Sequence, residues 1–196
     1  MLWFISALLV ALITVFWGIG AHSRLTGLRK AFAQAFTHIN VQIKHRHRAM
    51  QALIEKIVQS QLVRSDAVAH IDVLYQQSIQ ASERLAANAL DSEAMHDFTA
   101  TEATFSLSLS DLMAEATKQA SPSAAELMSQ LFEERSSMDN RIAFARQGYN
   151  HAVMQYNDAL VQFPGAVIAR LFGFKPGYLW QSTDAPIERR QEHRGA

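Results

Sequence analysis

The chain has 196 residues, 49% of them hydrophobic, which is enough for one domain with a sizeable core. Cysteine is absent, which excludes disulfide bonds and thiol catalysis, and the formal net charge is zero. The only glycine or proline between Gly27 and Gly148 is Pro122, so almost nothing in this stretch disfavours helix, and we predict an all-α protein.

The zero net charge conceals an uneven distribution of charge along the chain. Residues 22–64 carry eight Lys or Arg and one acid, residues 65–140 carry three and thirteen, and residues 141–196 carry seven and four. Both ends of the chain are therefore basic and the middle is acidic, which is typical of solvated helix faces and also of surfaces that meet a partner of opposite charge.

The first predicted element is a transmembrane helix over residues 1–21. This stretch contains no charged residue, and as a helix it spans roughly 30 Å, the thickness of the hydrocarbon core of a bilayer. Trp3 and Trp17 lie near its two ends, where tryptophan is enriched at the headgroups. A cleaved signal peptide and a buried helix of a soluble protein are the less favoured alternatives, because no basic residue precedes the apolar run and no polar residue interrupts it strongly.

Basic residues that follow the apolar segment predict its orientation. Arg24, Arg29 and Lys30 lie within about ten residues of its end, whereas only the α-amino group precedes it. We therefore predict a single-pass inner-membrane protein with its amino terminus outside and its carboxyl-terminal body in the cytoplasm. The same three cations are candidates for contact with an anionic inner leaflet.

Residues 22–163 are predicted to form an antiparallel up-and-down bundle of four long helices. The first helix continues from the membrane segment and carries an apolar stripe at helical spacing, which Arg46 interrupts. The second and third helices are predicted near residues 64–90 and 94–120. Short connections favour neighbouring helices of opposite direction, so the fourth helix returns to the membrane end of the first.

The fourth helix is predicted to begin at Ser121-Pro122, because serine caps helices well and proline suits the first helical position. Its apolar positions recur in threes and fours as a heptad stripe that runs to Phe163. Within the stripe the dipeptide Tyr-Asn occurs twice, seven residues apart, at Tyr149 and at Tyr156. Two turns of helix separate these positions, so the two tyrosines share one face.

Residues 164–181 form a short amphipathic segment rich in aromatic residues. It is too short, and too broken by glycine and proline, to span a membrane. Either it folds back as a cap on the bundle, or it lies in the membrane interface with its cations at the headgroups. Its candidate interface residues are Arg170, Phe172, Phe174 and Lys175. Residues 182–196 are polar and are predicted to be a disordered tail.

Three stretches carry the motifs of one known family. Residues 39–46 read INVQIKHR, residues 142–157 contain I-x-x-A-R-x-x-Y-N-x-x-V-x-x-Y-N, and residues 163–174 contain F-P-x-x-x-I-A-x-x-x-G-F. In these motifs the chain resembles the LemA family of bacterial membrane-anchored proteins, although Asn40 replaces the usual aspartate. The resemblance implies an amino-terminal membrane anchor and a four-helix bundle, with no established enzymatic activity.

Polar residues beside the apolar stripes are candidates for a structural or partner-binding role. In the predicted bundle the first and last helices are neighbours, so Arg46 would reach Arg146 or an asparagine amide across their groove. Buried guanidinium and amide groups need partners, and finding them fixes the register of the helices. The alternative is a groove for a ligand or a partner. The candidates are Asn40, Arg46, Arg146, Tyr149, Asn150, Tyr156 and Asn157.

The sequence contains no recognisable catalytic or metal-binding motif. His45 and His47 point to different sides of a helix, and no HExxH, GxSxG or phosphate-binding loop occurs. We therefore predict a non-enzymatic protein without metal or cofactor, whose bundle is a scaffold or interaction module for a protein partner. The alternative is a sensor whose bundle binds a small ligand or an anionic lipid. Nucleic acid is not an expected partner, and self-association stays open.

Overall fold

The computed structural model describes residues 2–181, and all regular secondary structure in this range is α-helical. The prediction of an all-α protein is therefore confirmed, whereas the predicted tail, residues 182–196, lies outside the described residues. The five helices are α1 (Leu2–Gln59), α2 (Ser65–Ala87), α3 (Ser92–Gln119), α4 (Pro122–Val161) and α5 (Gly165–Phe172).

Helix α1 is continuous and joins the apolar segment directly to the rest of the chain. Its 58 residues correspond to a length of roughly 87 Å at about 1.5 Å per residue. Large apolar side chains of its first part are exposed, Trp3 at 78% and Phe16 at 72%, whereas Leu25 and Phe32 further along are buried. By length and composition, α1 could cross a membrane near its amino terminus.

The long helices pack mainly in two pairs, α1 with α4 and α2 with α3. Phe32 stacks on Tyr156, and further along α1 the ammonium group of Lys56 lies 2.9 Å from the carboxylate of Glu134. Residue numbers therefore fall along α4 as they rise along α1. Because α2 and α3 have only 23 and 28 residues, they cover a smaller part of the α1–α4 pair than its full length.

The core contains two large apolar clusters with a polar layer between them. One cluster includes Phe32 and Ile43 of α1, and the other begins at Met50 on the same helix. Between them lie the buried side chains of Arg46 and His47. The apolar stripe that the sequence predicts on α1 is therefore interrupted by charge at the middle of the core.

Helix α5 packs into the angle between α1 and α4 at the end of the apolar segment. Gly165 and Ala169 are buried there, and Ala169 clusters with Leu25 and Ala159. A Cβ atom at Gly165 would lie 2.0 Å from the backbone oxygen of Ala159, so only glycine permits this approach. The helix ends at Gly173, whose φ of 67° is left-handed.

The predicted stripe of α4 is wrong at Phe163. The heptad pattern placed it inward, but it is 71% exposed. Since α4 ends at Val161, Phe163 belongs to the turn that follows, and its ring lies 4.4 Å from that of Trp17. The heptad pattern also predicts Ala152 to face inward, but Ala152 is only half-buried, and its neighbour Val153 is fully buried.

Candidate functional site

The chain returns along α4 after α5, in an extended segment over residues 174–181 that we call the strap. It is held first by Asn157. The Asn157 Nδ2 donates to the backbone oxygen of Gly177 at 2.9 Å, and its Oδ1 accepts from the Gly177 N–H at 2.9 Å. One side chain thus satisfies both backbone groups of one strap residue, as a neighbouring β-strand would.

The second asparagine of the repeat makes the same contact seven residues earlier on α4. The Asn150 Nδ2 donates to the backbone oxygen of Trp180 at 3.0 Å, and its Oδ1 accepts from the Trp180 N–H at 2.9 Å. Each tyrosine adds one bond to a strap carbonyl: Tyr149 Oη donates to Tyr178 at 2.8 Å, and Tyr156 Oη donates to Lys175 at 2.9 Å. The repeated dipeptide is therefore a binding site for the strap.

The spacing of the repeat has a geometric cause. Seven residues advance a helix by about 10.5 Å, and three residues of extended chain cover about 10 Å. Asn157 and Asn150 hold strap residues that are three apart, as do the two tyrosines. Two turns of α4 thus match three residues of the strap, and the same contact repeats along it.

All six of these hydrogen bonds involve backbone atoms of the strap, so they do not depend on which side chains the strap carries. Other contacts determine which residues fit at Gly177 and Trp180. Trp180 is buried, with its ring 4.9 Å from that of Phe98 on α3. Gly177 is buried as well, and a Cβ atom there would lie 3.3 Å from the ring of Phe32. The strap therefore covers Phe32 and Tyr149, and Trp180 joins it to α3.

The polar layer joins side chains from all four long helices. The carboxylate of Glu102 on α3 accepts from Arg46 Nη1 and from Ser78 Oγ of α2, and it lies 2.8 Å from His47 Nε2. Arg46 Nε also donates to Asp139 of α4 at 3.2 Å. Glu102, Arg46, His47 and Ser78 are all buried. This layer is an ionic network inside an otherwise apolar core.

Glu102 stays ionised in the layer. Its burial opposes the charged form, but the hydrogen bond from His47, the positive charge of Arg46 and the hydrogen bond from Ser78 together hold its pKa below the usual range. Burial raises the pKa of the Tyr149 hydroxyl, as it does for other buried phenols.

The Ser78, His47 and Glu102 side chains do not have the geometry of an acyl-transfer triad. Ser78 Oγ lies 2.9 Å from the same ring nitrogen, His47 Nε2, that contacts Glu102. With Glu102 ionised, that nitrogen must carry a proton and donate it to the carboxylate, so it cannot accept the serine proton. Within residues 2–181, no three His, Asp or Glu side chains are arranged to hold a metal ion.

The expected partner of Arg46 is corrected by the structure. The sequence suggested Arg146 or an asparagine amide across the groove, but Arg46 binds Glu102 and Asp139, because they offer the opposite charge. The guanidinium carbon of Arg146 lies 5.9 Å from the ring centre of Trp180. Both arginines line one cavity of about 530 Å³ beside the layer.

Asn40, another of the candidate residues, is half-buried, and no hydrogen bond or ion pair is seen for it in the described part of the chain.

Glu102, Ser78 and Asp139 were missed from the sequence. Glu102 follows Phe98 by four residues and precedes Phe105 by three, so it occupies an inward position of α3, just as Arg46 does on α1. Two opposite charges at inward positions were therefore a usable signal. Nothing in the sequence alone indicates that these two positions lie at the same level.

The predicted membrane-interface residues lie around α5, where the apolar segment of α1 meets the rest of the chain. The His22 ring lies 4.6 Å from that of Phe172, and the guanidinium carbon of Arg29 lies 5.9 Å from the ring centre of Phe174. The remaining members of this group are exposed, and none forms an ion pair among the described residues; they are Arg24, Lys30, Arg170 and Lys175.

Comparison with known proteins agrees with the motifs. The sequence model of the LemA family matches residues 35–192, which include the polar layer and the whole strap. No individually curated protein matches the chain significantly. Because the family model covers most of the sequence, the resemblance is confirmed and the chain belongs to the LemA family.

Proposed function

We propose that this protein is a membrane-anchored, non-enzymatic scaffold whose four long helices form an antiparallel up-and-down bundle at the bacterial inner membrane. The observation that carries the proposal is the continuity of α1 from Leu2 to Gln59. One uninterrupted helix supplies both the apolar segment and a buried element of the bundle. A bundle attached in this way is held close to the membrane in a fixed orientation.

The exposed surface of the first part of α1 supports the anchor. Twelve large apolar side chains between Trp3 and Ile19 are exposed, and burial of each is worth roughly 1.5–3 kcal/mol. Such a surface is unfavourable in water and favourable in lipid. The absence of acidic residues before Glu55, with Arg24, Arg29 and Lys30 near the apolar segment, supports a cytoplasmic bundle.

The outer face of the α1–α4 pair offers a surface for a protein partner. An open groove of about 790 Å³ lies between His38 and Gln42 of α1 and Arg141 and Phe144 of α4. Phe144 is 77% exposed at its edge, and aromatic and arginine side chains are enriched in the cores of protein–protein interfaces. This combination favours an interaction module over a bundle with a purely structural surface.

The geometry of the polar layer supports the non-enzymatic part of the proposal. Ser78 and Glu102 share one nitrogen of His47, and all three side chains are buried. A nucleophile in this position would have neither a free base nor access to substrate.

The topology of the chain is tested by cysteine labelling in intact cells. The chain has no cysteine, so a single cysteine in a short extension before Met1 and another at the exposed Gln77 report the two sides through a membrane-impermeant thiol reagent. We expect labelling of the cysteine before Met1 and protection at Gln77 until the membrane is permeabilised. Labelling of Gln77→Cys in intact cells would contradict the cytoplasmic bundle.

The interaction role is tested by proximity labelling from the bundle. A ligase fused at Gln119, at the end of α3, should label the same proteins reproducibly, and Phe144→Ser should reduce this labelling. Leu107→Ser on α3 is the matched control, because Leu107 is also exposed, at 64%, but does not line the groove. Equal labelling by the wild type, both variants and an unrelated anchored protein would exclude the scaffold.

A sensor that binds anionic lipid is the second candidate function. The observation that favours it is the exposed apolar face of α5 at the end of the apolar segment, beside cations that form no ion pair among the described residues.

A further inference from the structure

Helix α5 has two different faces, and only one of them is covered by the protein. Gly165 and Ala169 are buried against α1 and α4. Val167 and Leu171, one turn apart on the opposite side, are 56% and 73% exposed, and Phe172 is 57% exposed. A short helix that presents only large apolar groups and one cation to its surroundings is unfavourable in water.

The position of this exposed face is fixed by contacts with the apolar segment. The turn before α5 places Phe163 4.4 Å from the ring of Trp17, and the end of α5 places Phe172 4.6 Å from the ring of His22. Trp17 lies in the last two turns of the apolar segment of α1, and His22 directly follows that segment. The exposed face of α5 therefore lies at the level where a bilayer around α1 would end.

The charges around this face are mainly positive, and the acid nearest to it in sequence is Asp158 near the end of α4. No Asp or Glu occurs in residues 2–54 or in residues 159–181, which supply all of α5 and the strap. Arg24, Arg29 and Arg170 are exposed and form no ion pair among the described residues. They lie on the two helices that meet here, α1 and α5.

The acidic end of the α2–α3 hairpin does not reach this level. Leu85 and Met95, at the two sides of that turn, belong to the cluster that contains Phe32 and Phe36. Ten residues separate Phe32 from His22 along α1, a rise of about 15 Å. The acidic residues of the hairpin turn therefore lie away from Arg24, which follows His22 by two residues, and leave its charge unneutralised.

We propose that α5 is an interfacial helix that completes a binding site for anionic phospholipid. Phe163, Val167, Leu171 and Phe172 enter the boundary between headgroups and acyl chains, and the neighbouring arginines bind the lipid phosphates. The inference rests on the proposed membrane anchoring of α1. It adds a second membrane contact, about 150 residues away in sequence, which determines the lipid composition around the protein.

The contact also connects the membrane to the strap. Gly173 ends α5 and the strap begins at the next residue. Phe174 contacts both the backbone of Ala169, through an N–H to oxygen bond of 3.0 Å, and the charged group of Arg29. Lipid that holds α5 in place therefore also holds the first residue of the strap.

The depth of α5 can be measured on the full chain in vesicles that contain phosphatidylglycerol. Single cysteines at Val167, Leu171, Val10 and Gln77 are labelled with an environment-sensitive fluorophore, and nitroxide lipids quench it at known depths. At Val167 and Leu171 we expect quenching about twofold stronger or more by a nitroxide near the headgroup than by one near the acyl-chain end. At Val10 the order should reverse, and Gln77 should not be quenched.

The outcomes separate the inference from the anchoring on which it rests. Quenching at Val10 without quenching at Val167 and Leu171 would overturn the interfacial helix and leave the anchor intact. Absence of quenching at Val10 would overturn the anchor itself. Protection of the α5 positions from both lipid and aqueous quenchers would overturn the inference too, because it would show that protein, such as a second copy, covers α5.

The preference for anionic lipid is tested by the lipids that remain bound after extraction from vesicles of equal phosphatidylglycerol and phosphatidylcholine. We expect roughly threefold or greater enrichment of phosphatidylglycerol, because each cation near the surface contributes to its attraction. The variant Arg24→Gln/Arg170→Gln should bring the ratio close to one. Arg64→Gln/Lys118→Gln, with the same change in charge far from α5, should keep the enrichment. Equal ratios in the two variants would overturn the lipid site.

Discussion

The side-chain amide of Asn157 and the backbone of Gly177 form two hydrogen bonds, both 2.9 Å long. Asn150 forms the same pair with Trp180, seven residues earlier on the helix and three residues later on the strap. An asparagine is suited to this task because its carboxamide has one donor side and one acceptor side, like a peptide group. The helix thereby provides an extended segment with the contacts of a β-strand.

Loss of one asparagine should release the strap as a unit. Two hydrogen bonds of about 0.5–1.5 kcal/mol each are lost in Asn157→Ala, so amide exchange in the strap should be roughly 5- to 150-fold faster. The informative amide is that of Trp180, because it keeps its own partner, Asn150. Hydrogen exchange followed by NMR or mass spectrometry measures it.

Gln155→Ala is the matched control for this release. Gln155 lies on the same helix and is exposed, and among the described residues its amide contacts His151. In Gln155→Ala, the hydrogen-exchange rates of the strap amides should equal those of the wild type. If Asn157→Ala accelerates Gly177 alone and leaves Trp180 unchanged, the strap is held at independent points.

The two glycines Gly165 and Gly148 should respond to alanine in opposite ways. Gly165→Ala places a Cβ atom 2.0 Å from the oxygen of Ala159, so α5 must move away. We expect a loss of roughly 1–3 kcal/mol in the free energy of unfolding, as in overpacked cores. Gly148 has open space around it, so Gly148→Ala should gain roughly 0.5–1 kcal/mol. Chemical denaturation in detergent gives both values.

Loss of one member of the Arg46–Glu102 pair should destabilise the protein strongly, whereas replacement of both members should destabilise it much less. Either Arg46→Leu or Glu102→Leu leaves the other charge buried, at a cost of roughly 3–5 kcal/mol. The double variant removes both charges and should be much closer to the wild type than the sum of the single losses. A double-mutant cycle by denaturation measures the coupling. Additive losses would show that the two charges do not depend on each other.

Glu102 should also give the protein a specific acid sensitivity. Because its pKa is lower in the folded state than in the unfolded state, its contribution is complete above the unfolded value of about 4.3. That contribution is lost as the pH falls through the lower, folded value. The stability difference between the wild type and Glu102→Gln should therefore be constant near neutral pH and shrink below about pH 4.3. A difference that does not change with pH would contradict an ionised Glu102.

Much of the helical structure follows from local patterns. The predicted helices near residues 64–90 and 94–120 differ from the observed ones, Ser65–Ala87 and Ser92–Gln119, by three residues at most. The start of α4 at Pro122 follows from the favoured position of proline. The end of α4 was predicted two residues too late, because Phe163 continues the heptad pattern although the helix ends at Val161.

The helices, the apolar segment and the family can be predicted from the sequence, because each depends on residue types a few positions apart or on a linear motif. The groups that the Tyr-Asn repeat and Arg46 bind are visible only in the folded chain. Their partners lie between 19 and 93 residues away in the chain, and no local periodicity specifies such pairings. The repeat marks one face of α4 in the sequence, and the return of the chain after α5 makes that face a site for the strap.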